Sequence, residues 1–126
     1  MMNRIWNAKN PNQGEAKRVL CLCSAGLLRS PTMARVLGGE PFNFNTRAAG
    51  VDRGHALIFA DEVLLHWADE IVCATPEIAA AVALRVKDGE KLTILQIPDK
   101  FRYNDPELVQ EIKQQYGYSL GVRNAR

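Results

Sequence analysis

The chain is poor in several residue types, and each shortage excludes something. It has three cysteines and two histidines in 126 residues. An odd, small cysteine count in a chain of this size does not make a disulfide framework, and it points to a reducing compartment, the cytoplasm. Cys21 and Cys23, two apart, are taken to face opposite ways across a strand and so not to pair. His55 and His66 stand alone. No cluster of His, Cys and acids has metal-ligand spacing, so neither metal nor cofactor is expected. No apolar run approaches the roughly 20 residues needed to span a bilayer. The N-terminal stretch MMNRIWNAKNPNQGEAK has no apolar segment of signal-peptide length, so no membrane association or secretion is expected. Charge of one sign is also scarce: 16 Lys and Arg against 14 Asp and Glu leave a net +2. The basic residues are spread along the chain, without the clustered footprint of a nucleic-acid binder.

What is present fits one domain with a real core. Residues 1–16 are polar and read as a loose N-terminal arm, and residues 17–126 as one domain. Val19 to Leu22 is a short continuous apolar run, the mark of a strand buried on both faces. Ser30-Pro31 predicts a helix start, with Ser as N-cap and Pro at the first helical position. Met33, Val36 and Leu37 have helical spacing, and Gly38-Gly39 closes that helix. Phe42 to Ala49 reads as a second strand closed by Gly50, and about 57–68 as a helix. Ile71 to Ala74 reads as a third strand. Thr75-Pro76-Glu77 starts a helix, Lys91 to Ile97 reads as a fourth strand, and Asp105-Pro106-Glu107 starts the last helix. Short apolar strands alternating with helices predict an α/β fold, a parallel sheet covered on both faces.

In such sheets ligands bind at the carboxyl ends of the strands, where residues 23–30 fall. A helix start offers free backbone N–H groups and a positive dipole end, which favour an anion. Gly26 tolerates a positive φ, so the loop Ser24, Ala25, Gly26, Leu27, Leu28 can curl with its amides inward. Arg29 adds a planar fork suited to phosphate oxygens. The same positive surroundings favour the thiolate of Cys23. Ser30 is within reach to donate to that sulfur. One loop thus holds a nucleophile and a cradle for a tetrahedral oxyanion, which suits displacement at phosphorus through a cysteinyl-phosphate.

Cys-x5-Arg-Ser after a buried strand resembles the active-site loop of the low-molecular-weight protein tyrosine phosphatases, chiefly their compact bacterial and phage members. "TRAAG" at 46–50, "WADEIVCATPEI" at 67–78 and "LQIPDKFRYNDPELV" at 95–109 resemble later segments of that family, so the likeness runs over residues 18–117. It implies a three-layer fold with a four-stranded parallel sheet of order 2-1-3-4, and hydrolysis of a phosphorylated protein or small aryl phosphate. Four positions depart from the family pattern. Ala25-Gly26 stand where Gly-Asn is usual. Leu28 replaces a second loop cysteine, removing the intraloop protective disulfide. Lys100 replaces a proline.

A leaving phenoxide needs a proton, and a carboxylic acid near the loop can supply it and later activate water. Two candidates stand open. Asp99 follows the fourth strand directly, and Ile97-Pro98-Asp99 matches the start of the family's acid loop. Asp105 has the Asp-Pro dipeptide, and also a sufficient explanation as helix cap. Phe101 and Tyr103 flank this loop, either walling a slot for a phosphotyrosine ring or packing the loop onto the body. Three other readings compete with a phosphatase: a phosphate or phosphopeptide-binding module on the same fold, a phosphocysteine carrier, and an arsenate reductase. The last would need further relay cysteines, and none follows Cys73.

Overall fold

The computed structural model describes residues 16–24, 29–54, 56, 58–86 and 89–124. The run RVLCLC forms β1 (Arg18–Cys23), buried from Val19 onward. It lies in the interior of a four-stranded parallel sheet with β2 (Asn45–Gly50), β3 (Glu70–Cys73) and β4 (Leu92–Ile94), in the order β2-β1-β3-β4. Among the described residues the α-helices are α1 (Arg29–Gly38), α2 (Glu62–Trp67), α3 (Pro76–Ala83) and α4 (Pro106–Asn124). The expected α/β class, sheet order and alternation of elements are all observed.

Side-chain alternation along β1 splits the core in two. Val19, Cys21 and Cys23 face one way, packing with Met33 and Leu37 of α1 and Leu108, Ile112 and Tyr116 of α4. Leu20 and Leu22 face the other way, toward Leu64 and Leu65 of α2 and Ile78 and Val82 of α3. Cys21 and Cys23 therefore share a face, contrary to the expectation, because residues two apart in a strand point the same way. Cys73 faces the opposite core. All three remain thiols without a disulfide. Truncating a fully buried β1 leucine to alanine costs about 2–5 kcal/mol.

Boundaries moved where side chains or turns took over backbone pairing. The start of the expected second strand is a turn instead: Phe42 and Asn43 N–H both donate to Gly39 O, and Asn43 has φ 54°. Phe42 and Phe44 pack edge to face with Tyr116, at 5.3 and 6.0 Å between centroids. The expected helix over 57–68 starts only at Glu62. Gly50 N–H donates to Ile58 O and Ala60 N–H to Gly50 O, which extends the sheet edge. Asp61 then caps α2 by accepting from Leu64 N–H at 2.9 Å. Thr75 caps α3 as read, accepting from Ile78 N–H at 3.3 Å. β4 is shorter than expected, yet Leu95 and Ile97 N–H still donate to Cys73 O and Ala74 O.

Glu70 is the main buried charge. Its carboxylate accepts from Thr93 and Tyr116 hydroxyls and from Lys17 Nζ, the last two at 2.8 Å. Burial pushes this carboxyl up, but the hydrogen bonds from Lys17, Thr93 and Tyr116 outweigh it together and hold it below the ordinary carboxylate range. The cluster ties α4 to the sheet between β3 and β4.

Candidate active site

β1 ends at Cys23 opposite Gly50 of β2. Val51 N–H donates to Cys23 O at 3.0 Å and Asp52 N–H to Ser24 O at 2.8 Å. The segment after β2 thus supports the first residues of the loop after β1. Ala25, Gly26, Leu27 and Leu28, the expected cradle, lie outside the described residues, as does His55. The chain is described again from Arg29, the first residue of α1.

That start corrects the role read for Ser30. It lies inside the helix rather than before it, fully buried. Its hydroxyl meets the cysteine: Cys23 Sγ–H donates to Ser30 Oγ at 3.2 Å. Cys23 is itself buried, 3 % exposed.

Arg29 is the centre of the arrangement. It is 4 % exposed, so an unmet guanidinium donor there would be costly. Nη1 donates to Ile97 O at 2.9 Å and Nη2 to Ser24 Oγ at 3.3 Å. Nε lies 3.6 Å from Asp99 Oδ1, beyond hydrogen-bond length. One side chain thus joins the loop after β1 to the segment after β4.

The two candidate carboxylates have separate surroundings. Asp99 is 66 % exposed and stands at the guanidinium. Asp105 Oδ1 accepts from Glu107 N–H at 2.9 Å, and its carbonyl accepts from Val109 N–H. That is a helix-capping arrangement at the start of α4. Phe101 is buried in the core with Leu95, Ile97 and Leu108, so it packs the loop onto the body. Tyr103 is half exposed.

The other thiols have different environments. Burial pushes Cys73 up to about 12 and pushes Cys21 well above the ordinary range, with Glu70 adding to the effect on Cys21. Among the described residues no group of three or more His, Cys, Asp or Glu is arranged to hold a metal ion. No described helix is long and apolar enough to cross a membrane.

Of the residues singled out in the sequence, Cys23, Arg29, Ser30 and Asp99 lie together beyond the carboxyl end of β1. Sequence reasoning missed Thr32. This buried residue of α1 accepts from Asn104 N–H at 2.8 Å, beyond the far end of the Asp99 loop.

No family model matches the chain, and no curated protein matches it. Solved structures do. The tyrosine phosphatase Wzb from Escherichia coli K30, in complex with phosphate, matches with a TM-score of 0.65 and 16 % identity, over 82 % of this chain and 96 % of that one. Vibrio vulnificus Wzb in complex with benzylphosphonate matches with a TM-score of 0.64 and 18 % identity, over 82 % and 99 %. A mutant of the YwlE arginine phosphatase, with a phosphorylated active-site serine in place of cysteine, matches with a TM-score of 0.61 and 16 % identity, over 82 % and 95 %. The chain has the fold of the low-molecular-weight tyrosine phosphatases.

Proposed function

We propose that the protein is a metal-independent phosphomonoester hydrolase, acting on phosphotyrosine in protein through a cysteinyl-phosphate. One observation carries the reading. Cys23 Sγ, Ser30 Oγ, the Arg29 guanidinium and the Asp99 carboxylate converge at the carboxyl end of β1, in a fold whose solved examples include tyrosine and arginine phosphatases.

The steps follow from the groups. Cys23 attacks phosphorus as the thiolate, and the Ser30 hydroxyl, the acceptor in the thiol form, turns to donate to the sulfur. Arg29 keeps Nη1 on Ile97 O and presents Nε and Nη2 to two phosphoryl oxygens, a planar match. The P–O bond to the leaving group breaks, and Asp99 gives that oxygen a proton. The Asp99 carboxylate then takes a proton from water as the water attacks phosphorus. The P–S bond breaks, and phosphate and thiolate are released. Asp105 keeps its cap. Tyr103, half exposed beside this loop, lines the approach for an aryl group.

Hydrolysis of an aryl phosphate in EDTA, blocked by vanadate and abolished in Cys23→Ser with the fold intact, tests the reading. Phosphotyrosine and phosphoarginine peptides run in parallel separate the two substrate classes. Phosphate binding with no turnover would instead make the protein a binding module, and stable phosphocysteine without hydrolysis a carrier.

A further inference from the structure

The segment carrying Asp99 has few bonds of its own. Ile97 is held by Ala74 O and by Arg29, and Phe101 is buried. The next fixed backbone point is Asn104, whose N–H donates to Thr32 Oγ1 at 2.8 Å. Asn104 has φ 59°, and Asp105 N–H closes a turn onto Arg102 O at 3.2 Å. The loop is therefore clipped to α1 at both ends: by Arg29 before Asp99, and by Thr32 after it.

Threonine is a modest helix former, and a buried hydroxyl is costly without a partner. A valine of the same shape would fill the site and satisfy the helix. The hydroxyl oxygen accepts from the loop's Asn104 N–H.

We propose that Thr32 is a positioning residue for the general acid: its bond to Asn104 N–H holds the loop closed, so that Asp99 stays over the phosphoryl site beside Arg29. The proposal rests on the reading of Asp99 as acid. A hydrogen bond of ordinary net strength shifts such a closed population roughly fivefold to tenfold.

The test compares two aryl phosphates, one with a poor leaving group (phenyl) and one with a good leaving group (dinitrophenyl) that departs without a proton. Thr32→Val is expected to lower kcat/KM, which reads only the step that releases the phenol and not the later water step that also uses Asp99, about fivefold to tenfold on phenyl phosphate and less than twofold on dinitrophenyl phosphate. Thr32→Ser restores the phenyl rate. In an Asp99→Asn background, Thr32→Val has no further effect. Equal losses of kcat/KM on both substrates, or additive losses in the double variant, would overturn the proposal. An inactive wild type would remove the phosphatase reading beneath it. Amide exchange at Asn104 in the unsubstituted protein then still reads the tether: protection is expected, and exchange as fast as an open loop's would overturn it.

Discussion

Asp99 and Asp105, six residues apart in one segment, can be separated by what each variant loses. Asp99 is two-thirds exposed, and its approach to Arg29 is 3.6 Å; a contact of that kind is worth within about 1 kcal/mol of stability. Asp99→Asn should therefore fold normally. A positioned acid contributes roughly 10² to 10⁴ in rate. The expected loss in kcat on phenyl phosphate is about 10²-fold, or about 2.7 kcal/mol of barrier. Asp105 differs in each respect. Its side chain accepts from Glu107 N–H at 2.9 Å, and removing such a cap costs about 1 kcal/mol. Asp105→Ala should melt a few degrees lower and keep kcat within about threefold. Thermal melts and steady-state kinetics on both variants read these quantities. If Asp105→Ala lost 10²-fold in kcat while Asp99→Asn stayed active, the assignment of acid and cap would be reversed.

Other consequences follow from the same structure. Arg29→Lys loses the fork that spans Ile97 O and Ser24 Oγ; kcat/KM should fall by about 10²-fold or more, and a loss under threefold would contradict the role. Glu70→Gln should destabilise the fold by about 2 kcal/mol. Because the folded carboxyl is held low, its contribution is present above the unfolded value of about 4.3 and disappears as pH falls through the folded value. The wild type should therefore lose more melting temperature than the variant on acidification, and parallel pH profiles would refute this. Burial holds Cys73 near 12 and Cys21 also high, so iodoacetamide at neutral pH should modify neither in the native protein; peptide mapping that finds Cys73 carboxamidomethylated before unfolding would contradict this.

Much of the fold was legible because its signals are local. The apolar run of β1, the caps Thr75-Pro76 and Asp105-Pro106, and the alternation of short strands with helices each depend on a few adjacent residues. The boundaries that moved depend on partners distant in sequence. Residues 58–60 read as helix but bridge to Gly50, and Phe42 and Phe44 read as strand but pack on Tyr116 of α4. The site followed the same division. Cys23 and Arg29 were singled out as candidates from spacing within one loop. Asp99 and Asp105 stayed open because the choice turns on which carboxylate meets Arg29 and which meets a helix N–H. The bond from Asn104 to Thr32 had no local signal, because the two lie 72 residues apart. Cys21 and Cys23 were read onto opposite faces although strand alternation puts residues two apart on the same one, an error of geometry rather than of signal.

The central claim is that the Cys23 sulfur takes the phosphoryl group from the substrate. Rapid acid quench of the protein with an aryl phosphate in EDTA, followed by mass spectrometry of its peptides, tests it most directly. One phosphoryl group on the peptide containing Cys23, rising and decaying with turnover and absent from Cys23→Ala, is the predicted result. Turnover with that peptide unmodified at every time point, or undiminished turnover in Cys23→Ala, would contradict it.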